Sequence, residues 1–390
     1  MSSLFEEPTT EALAHSARLA SRIREEIAAA GGWIPFSRYM ELALYEPALG
    51  YYSAGATKFG PAGDFVTAPE ISPVFARCLA RASAPLLAAL PEPVVLEFGA
   101  GTGALAYGLL GRLASLDALP QKYLILEVSA ELRTRQREYL ANLGDDIARR
   151  VEWIDRLPAA KFDGLVIANE VADALPVERF VRRAPGPRAL GVCIKRGTFQ
   201  LAEADASAGL AAAVAAIEQA TGGQLPDGYT SEVSLRLPGW INAVAGSLRR
   251  GTVFIGDYGC TRSEYYLPER RDGTFLCYYR HRAHRDALLY PGLQDMTAWV
   301  DFTLLAASAV GAGLDVAGYA TQAHFLIDAG VDIELEEFAG RQDAASLRAL
   351  QQAKTLLLPG EMGERCKIMA LARGVARSPG FGFRDLRSRL

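Results

Sequence analysis

Residues 97–104 read Glu-Phe-Gly-Ala-Gly-Thr-Gly-Ala, a carboxylate followed by three alternating glycines. Glycine permits a tight turn and lets a ligand approach the backbone closely, beside the positive end of the following helix. Gly99, Gly101 and Ala104 also satisfy the G-x-G-x-x-G/A dinucleotide fingerprint, so the loop alone admits two cofactor classes. Glu127 ends the next apolar run, where an acid accepts hydrogen bonds from ribose hydroxyls, as both classes require. Glu97 separates them. Its carboxylate suits a cationic, amino-acid-bearing cofactor such as S-adenosylmethionine, whereas beneath a pyrophosphate it would be repulsive.

A second constellation, Asn169-Glu170-Val171-Ala172-Asp173-Ala174-Leu175-Pro176, follows another apolar run. The carboxyl ends of strands line the ligand crevice of an open α/β sheet, which favours a chemical role for two acids and an amide there. The three-residue spacing of Glu170 and Asp173 predicts one helical turn aiming both at a single cation. Helix capping by Asn169 or Asp173 is the plainer alternative. His281 and His284 form a close pair with no evident third ligand, so no metal site is expected. No nucleophile elbow or P-loop is present.

The elements that must carry these residues alternate. A helical pattern over residues 9–30 stops at Gly31-Gly32, a short helix follows over 36–44, and residues 46–73 form a long turn-rich loop with Tyr51, Tyr52, Phe59 and Phe65. After a helix over 74–90 come apolar runs at 94–98, 123–127, 151–154, 164–168 and 252–256, with later strands at 314–319 and 365–372. Helices separate them. Continuous apolar strands of this kind signal a parallel sheet covered on both faces. More than one crossover's length separates the fourth and fifth runs, so an insertion lies between them. The pattern predicts one decorated α/β core in four parts: an N-terminal helical segment with a site-covering loop (1–90), the first part of the core (91–176), an α/β insertion (177–250) and the remainder (251–390), with a substrate-side loop region at 260–300.

The composition is 50% hydrophobic and 22% charged, enough apolar content to bury a core across 390 residues. With 41 basic and 45 acidic residues the net charge is −4, which gives no basic footprint for general nucleic-acid binding. Five scattered cysteines with no C-x-x-C pair suggest reduced thiols, and an acidic N-terminus with no long apolar segment predicts a cytoplasmic protein without membrane insertion.

Several motifs jointly resemble the MidA-like family of class I S-adenosylmethionine-dependent methyltransferases, the group that contains a mitochondrial complex I assembly factor that methylates arginine. The resemblance runs from about Ser37 to Gly374. It rests on Leu49-Gly50-Tyr51-Tyr52, on residues 63–71 (Gly-Asp-Phe-Val-Thr-Ala-Pro-Glu-Ile), and on Glu97 with its glycines. Further matches are Glu127-Val128-Ser129, Leu132-x-x-x-Gln136, residues 169–176, Asp257-Tyr258-Gly259, Gly273-Thr274, residues 291–302 and residues 359–364. The resemblance implies a Rossmann-like core on a mostly parallel seven-stranded sheet, with S-adenosylmethionine held by Glu97, Gly99, Gly101, Gly103 and Glu127. It further implies Asp155 at the adenine amine, and Asp64, Thr67 and Glu70 folding the N-terminal loop over the site. Asn169, Glu170 and Asp173 would handle the acceptor, a protein arginine, in a partner such as a respiratory-complex subunit. A catalytically silent assembly factor and an NAD-linked oxidoreductase are the rival readings, and the sequence leaves the oligomeric state open.

Overall fold

The apolar runs become the strands of one sheet. In the computed structural model, which describes residues 7–54, 67–336, 338, 340–341, 343–377 and 379–390, Val94–Phe98 (β1), Lys122–Leu126 (β2), Val151–Ile154 (β3), Phe162–Asn169 (β4) and Leu248–Cys260 (β5) pair in parallel. Asp315–Thr321 (β6) and Cys366–Arg373 (β7) join them in antiparallel pairing. The order is β6-β7-β5-β4-β1-β2-β3, with the two-residue strand Val300–Asp301 beside the end of β5. Val95, Leu96, Ile125, Leu165, Val166, Val253 and Ile255 are fully buried, so helices cover both faces as the unbroken apolar runs require. Each such side chain contributes roughly 1.5–3 kcal/mol.

Two glycines set how closely these strands begin. Gly164 and Gly251 are register partners in β4 and β5, at φ 150° and 152°, and a Cβ on them would stand 1.9 Å from the carbonyl oxygens of Val94 and Gly164 respectively.

The chain divides into two compact units, where the sequence suggests a single decorated core. The first holds the sheet and comprises the described parts of Val66–Ala172, Pro238–Thr261 and Val300–Leu390; the second comprises the described parts of Met1–Phe65 with Asp173–Leu237 and Arg262–Trp299. In the second unit, Thr9 caps the helix Thr10–Ala29, which buries Leu19, Ile23 and Ile27 on one stripe. Gly31 and Gly32, at φ 81° and 101°, then turn the chain into the strand Trp33–Pro35. That strand pairs with Pro187–Lys195 in a five-stranded antiparallel sheet completed by Glu178–Arg182, Thr198–Asp205 and Thr230–Val233. A three-stranded sheet forms from Leu276–Tyr279, Arg282–His284 and Asp295–Thr297. Phe36, Tyr39, Met40, Phe275, Cys277 and Met296 fill the core beside them.

These pairings explain why the expected boundaries differ from the observed ones. Residues 1–90 split, since Thr10–Ala29 and Phe36–Tyr45 find their apolar partners in the second unit, whereas the helix Pro73–Ala88 packs in the first. The inserted material of the second unit ends at Leu237 rather than at 250. The helix Leu237–Ser247, with Ile241 and Val244 buried and Trp240 edge-on to Phe98, leads back to β5. Most of residues 260–300 belongs with the N-terminal helices.

Candidate functional site

β1 delivers the chain to a loop in which every glycine does conformational work. Gly99, Gly101 and Gly103 have φ of 59°, 54° and 87°, in the left-handed region that residues with a Cβ avoid. Gly103 is also the N-cap of the helix Ala104–Ser115. The Gly99 amide donates to the Leu126 carbonyl at 3.2 Å, which joins the loop to the end of β2. Such a loop leaves backbone donors free of side-chain bulk at a helix N-terminus.

Two acids flank it. Glu97 is buried in β1 and accepts a 2.7 Å hydrogen bond from the Tyr123 hydroxyl in the neighbouring strand. Burial, reinforced by the charge of Glu127 and opposed by that hydrogen bond, pushes its carboxyl up to about 7. Glu127 follows β2, with its backbone N–H donating to the Ile154 carbonyl, and its carboxylate accepts the Ser129 N–H at 2.8 Å. Burial pushes this carboxyl upward too, against the bonds from Ser129 and Gln136. Asp155, expected at the adenine amine, is an exposed side chain 3.8 Å from Arg156.

β4 neighbours β1, so Ala168 is the register partner of Phe98 and the segment after β4 emerges beside the glycine loop. A Cβ on Gly99 would lie 3.6 Å from Val171 Cγ2. Asn169 ends β4 opposite Gly256, whose Cβ would come within 3.0 Å of the Asn169 Oδ1. Glu170 is a non-glycine residue at φ 53°, a strained setting of the kind that gathers at functional sites. Its N–H donates to the Gly256 carbonyl at 2.8 Å, and its Oε1 accepts from Ala68 N at 3.1 Å and from Asn169 Nδ2 at 3.3 Å. Asp257 holds the next turn: its Oδ2 accepts from Val171 N at 3.2 Å and Ala172 N at 2.9 Å.

The predicted helical turn carrying Glu170 and Asp173 together does not form. Glu170 precedes the 3₁₀ turn Ala172–Ala174 in a left-handed conformation, and only Asp173 lies within it. Asp173 belongs to the second unit, where the Thr297 hydroxyl donates to its Oδ2 at 2.8 Å and burial pushes its carboxyl up to about 6. Thr67 and Glu70 form a capping box on the short helix Ala68–Ile71, with Glu70 Oε2 accepting from Thr67 N at 3.3 Å. Asp64 lies outside the described residues. Among the described residues no three His, Cys, Asp or Glu side chains are grouped to hold a metal ion, and no helix is long and apolar enough to cross a membrane.

Reading the residues singly does not find Tyr123, and Asp257 and Gln136 enter only through the family resemblance. The signal for Gln136 was a polar residue on a buried helical stripe, four before the buried Leu140.

A family model described as "Putative S-adenosyl-L-methionine-dependent methyltransferase" matches residues 78–320. The chain is 44% identical to a Burkholderia thailandensis protein whose crystal structure holds S-adenosyl-homocysteine, with a TM-score of 0.94 covering 99% of this chain and 100% of that one. A native structure from the same organism is 42% identical, with a TM-score of 0.91 and the same coverage. Among curated relatives, the mitochondrial protein arginine methyltransferase NDUFAF7 of Xenopus laevis is 28% identical over 374 residues, 87% of this chain and 81% of that protein. The Drosophila melanogaster homolog is 28% identical over 410 residues, 95% and 89% of the two chains.

A parallel sheet in this strand order, closed by an antiparallel pair and carrying a glycine loop after its first strand, defines with these likenesses a methyltransferase whose cofactor is S-adenosylmethionine. S-adenosyl-homocysteine in the 44% identical structure sets aside the nicotinamide alternative. The chain belongs to the family of S-adenosyl-L-methionine-dependent methyltransferases that this model describes.

Proposed function

We propose that the protein transfers a methyl group to an arginine side chain of a protein partner. The observation that carries the reading is Glu170, held in a strained turn at the end of β4 beside the glycine loop that follows β1. The relatives named arginine methyltransferases support the acceptor class. Five buried cysteines, none in a disulfide, suit a reducing compartment such as the cytoplasm, and a respiratory-complex subunit is the partner that the resemblance implies.

In this reading Gly99, Gly101 and Gly103 admit the cofactor to the backbone, Glu127 takes its ribose hydroxyls, and Glu97 faces its ammonium. Asp155 is assigned to the adenine amine, and Asp64, Thr67 and Glu70 to the loop over the site. Bound S-adenosylmethionine supplies a methyl activated by a sulfonium. A guanidinium is a poor nucleophile while its charge is delocalised. Glu170, with the Asn169 amide beside it, orients the guanidinium and localises its electrons. As the nitrogen–carbon bond forms, the carbon–sulfur bond breaks with its electron pair left on sulfur, and the nitrogen gives up a proton. Asp173 is assigned proton exchange, since a carboxyl raised to about 6 changes charge close to neutral pH.

The test is radiolabelled methyl transfer into a lysate lacking the endogenous protein, followed by mass spectrometry of the labelled band. Methylarginine is the expected product. Label on another residue type would overturn the arginine assignment, and no label on any protein would favour a silent assembly factor. Glu170→Gln and Asp173→Asn are each expected to leave cofactor affinity near wild type and to lower transfer by about 10²-fold. Normal transfer per folded molecule, with only a lowered melting temperature, would mean that these acids merely hold their own turns.

A further inference from the structure

We infer that Gln136 is a positioning residue for the cofactor, coupling the glycine loop to the acid that follows β2. It lies in the helix Ala130–Leu140 with no exposed surface. Three partners surround its amide. Its Oε1 accepts the Trp153 indole N–H at 2.7 Å, its Nε2 donates to the Gly101 carbonyl at 2.9 Å, and the same nitrogen lies 3.5 Å from Glu127 Oε2.

The chemistry of the partners fixes which way the amide points. An indole N–H can only donate, and a carbonyl or carboxylate oxygen can only accept. With Trp153 on one side, the amide oxygen must face β3, and the NH₂ must face Gly101 and Glu127. No other natural side chain of this length offers both an acceptor and a two-proton donor. The Gln136 stem also backs the loop, because a Cβ on Gly103 would lie 3.5 Å from its Cγ. One side chain thus ties together β3, the left-handed turn at Gly101 and the carboxylate of Glu127, whose charged form its hydrogen bond favours.

This role rests on the proposed contacts of Gly101 and Glu127 with the cofactor, and the experiment separates the two. Calorimetry with S-adenosylmethionine and S-adenosyl-homocysteine is run on wild type, Gly101→Val, Glu127→Ala, Gln136→Met, Trp153→Phe and the Glu127→Ala/Gln136→Met double variant. Methionine keeps the volume of glutamine and removes both polar functions. Gln136→Met is expected to weaken both ligands at least about tenfold, the loss of a hydrogen bond to a charged group and one to a carbonyl. Trp153→Phe, which only frees the amide to flip, is expected to weaken them less but measurably. A residue that merely stabilised the fold would give additive losses with Glu127→Ala. Positioning predicts that Gln136→Met costs clearly less when Glu127 is already gone. Unchanged affinity in Gln136→Met alongside lost binding in Gly101→Val overturns the role of Gln136 alone. Unchanged affinity in Gly101→Val overturns the glycine-loop reading and this role with it. Should Gln136→Met fail to fold, Trp153→Phe decides: full affinity there overturns the coupling.

Discussion

Burying Glu97 at the end of β1 raises its carboxyl from 4.5 to about 7. An acid whose pKa rises on folding stabilises the fold fully below its unfolded value and loses that contribution as pH climbs through the folded one. The cofactor-free protein should therefore lose up to about 3 kcal/mol from this group between pH 4.5 and 7. Urea unfolding across that range, compared with Glu97→Gln, reads the effect as a difference in slope; parallel slopes would show that Glu97 stays charged. Glu127→Ala is expected to weaken S-adenosylmethionine by roughly 1.5–3 kcal/mol, the range for hydrogen bonds to a charged group. A loss under about twofold in calorimetry would mean that Glu127 does not reach the ribose. These positions were legible because charge within an apolar strand and glycine at a strand-to-helix junction each point to a special requirement. Tyr123 was not, and Asp257 entered only through the family resemblance, because a buried polar group acquires its meaning from a partner far along the chain. Asp155 follows β3 as its place in the pattern requires, and its side chain is exposed beside Arg156.

Strand spacing in the sheet depends on Gly164 and Gly251, not on the loop glycines. Gly164→Ala would set a Cβ 1.9 Å from the Val94 carbonyl oxygen, and β1 and β4 would have to part. The expected cost is at least about 3 kcal/mol in chemical denaturation, with cofactor affinity per folded molecule retained. Gly31→Ala meets no atom within 4 Å and bears only its left-handed φ, so a loss of about 1–2 kcal/mol is expected. Equal losses at the two sites would refute backbone crowding as the cause. The core strands were readable from sequence because burial on both faces leaves continuous apolar runs, and VEWI at 151–154 matches to the residue. The antiparallel sheet of the second unit was not. In Thr198–Asp205 the alternation of exposed and half-buried positions breaks at Gln200-Leu201, and Trp33–Pro35 is three residues long and finds its partner at Pro187–Lys195. A three-residue strand paired across such a separation leaves no local period to detect.

The path of the chain is as informative as its parts. It passes from one compact unit to the other between residues 54 and 67 and again at 172–173, 237–238, 261–262 and 299–300, so neither unit is a contiguous stretch that could be expressed alone. Such topology places loop closure before the contacts that reward it, and folding should be slow compared with a local helical bundle. Stopped-flow refolding on the millisecond-to-second scale or slower is expected; microsecond refolding would contradict it. The sheet holds a sharper constraint. β7, almost the last element in the sequence, sits between β5 and β6 and pairs with both. A nascent chain therefore carries β5 and β6 out of the ribosome with their facing edges vacant, a template for pairing with other chains until residues 366–373 arrive. The sheet is sealed only when residues 366–373 pair, so a copy truncated before them advertises its own incompleteness to chaperones and proteases through an open edge.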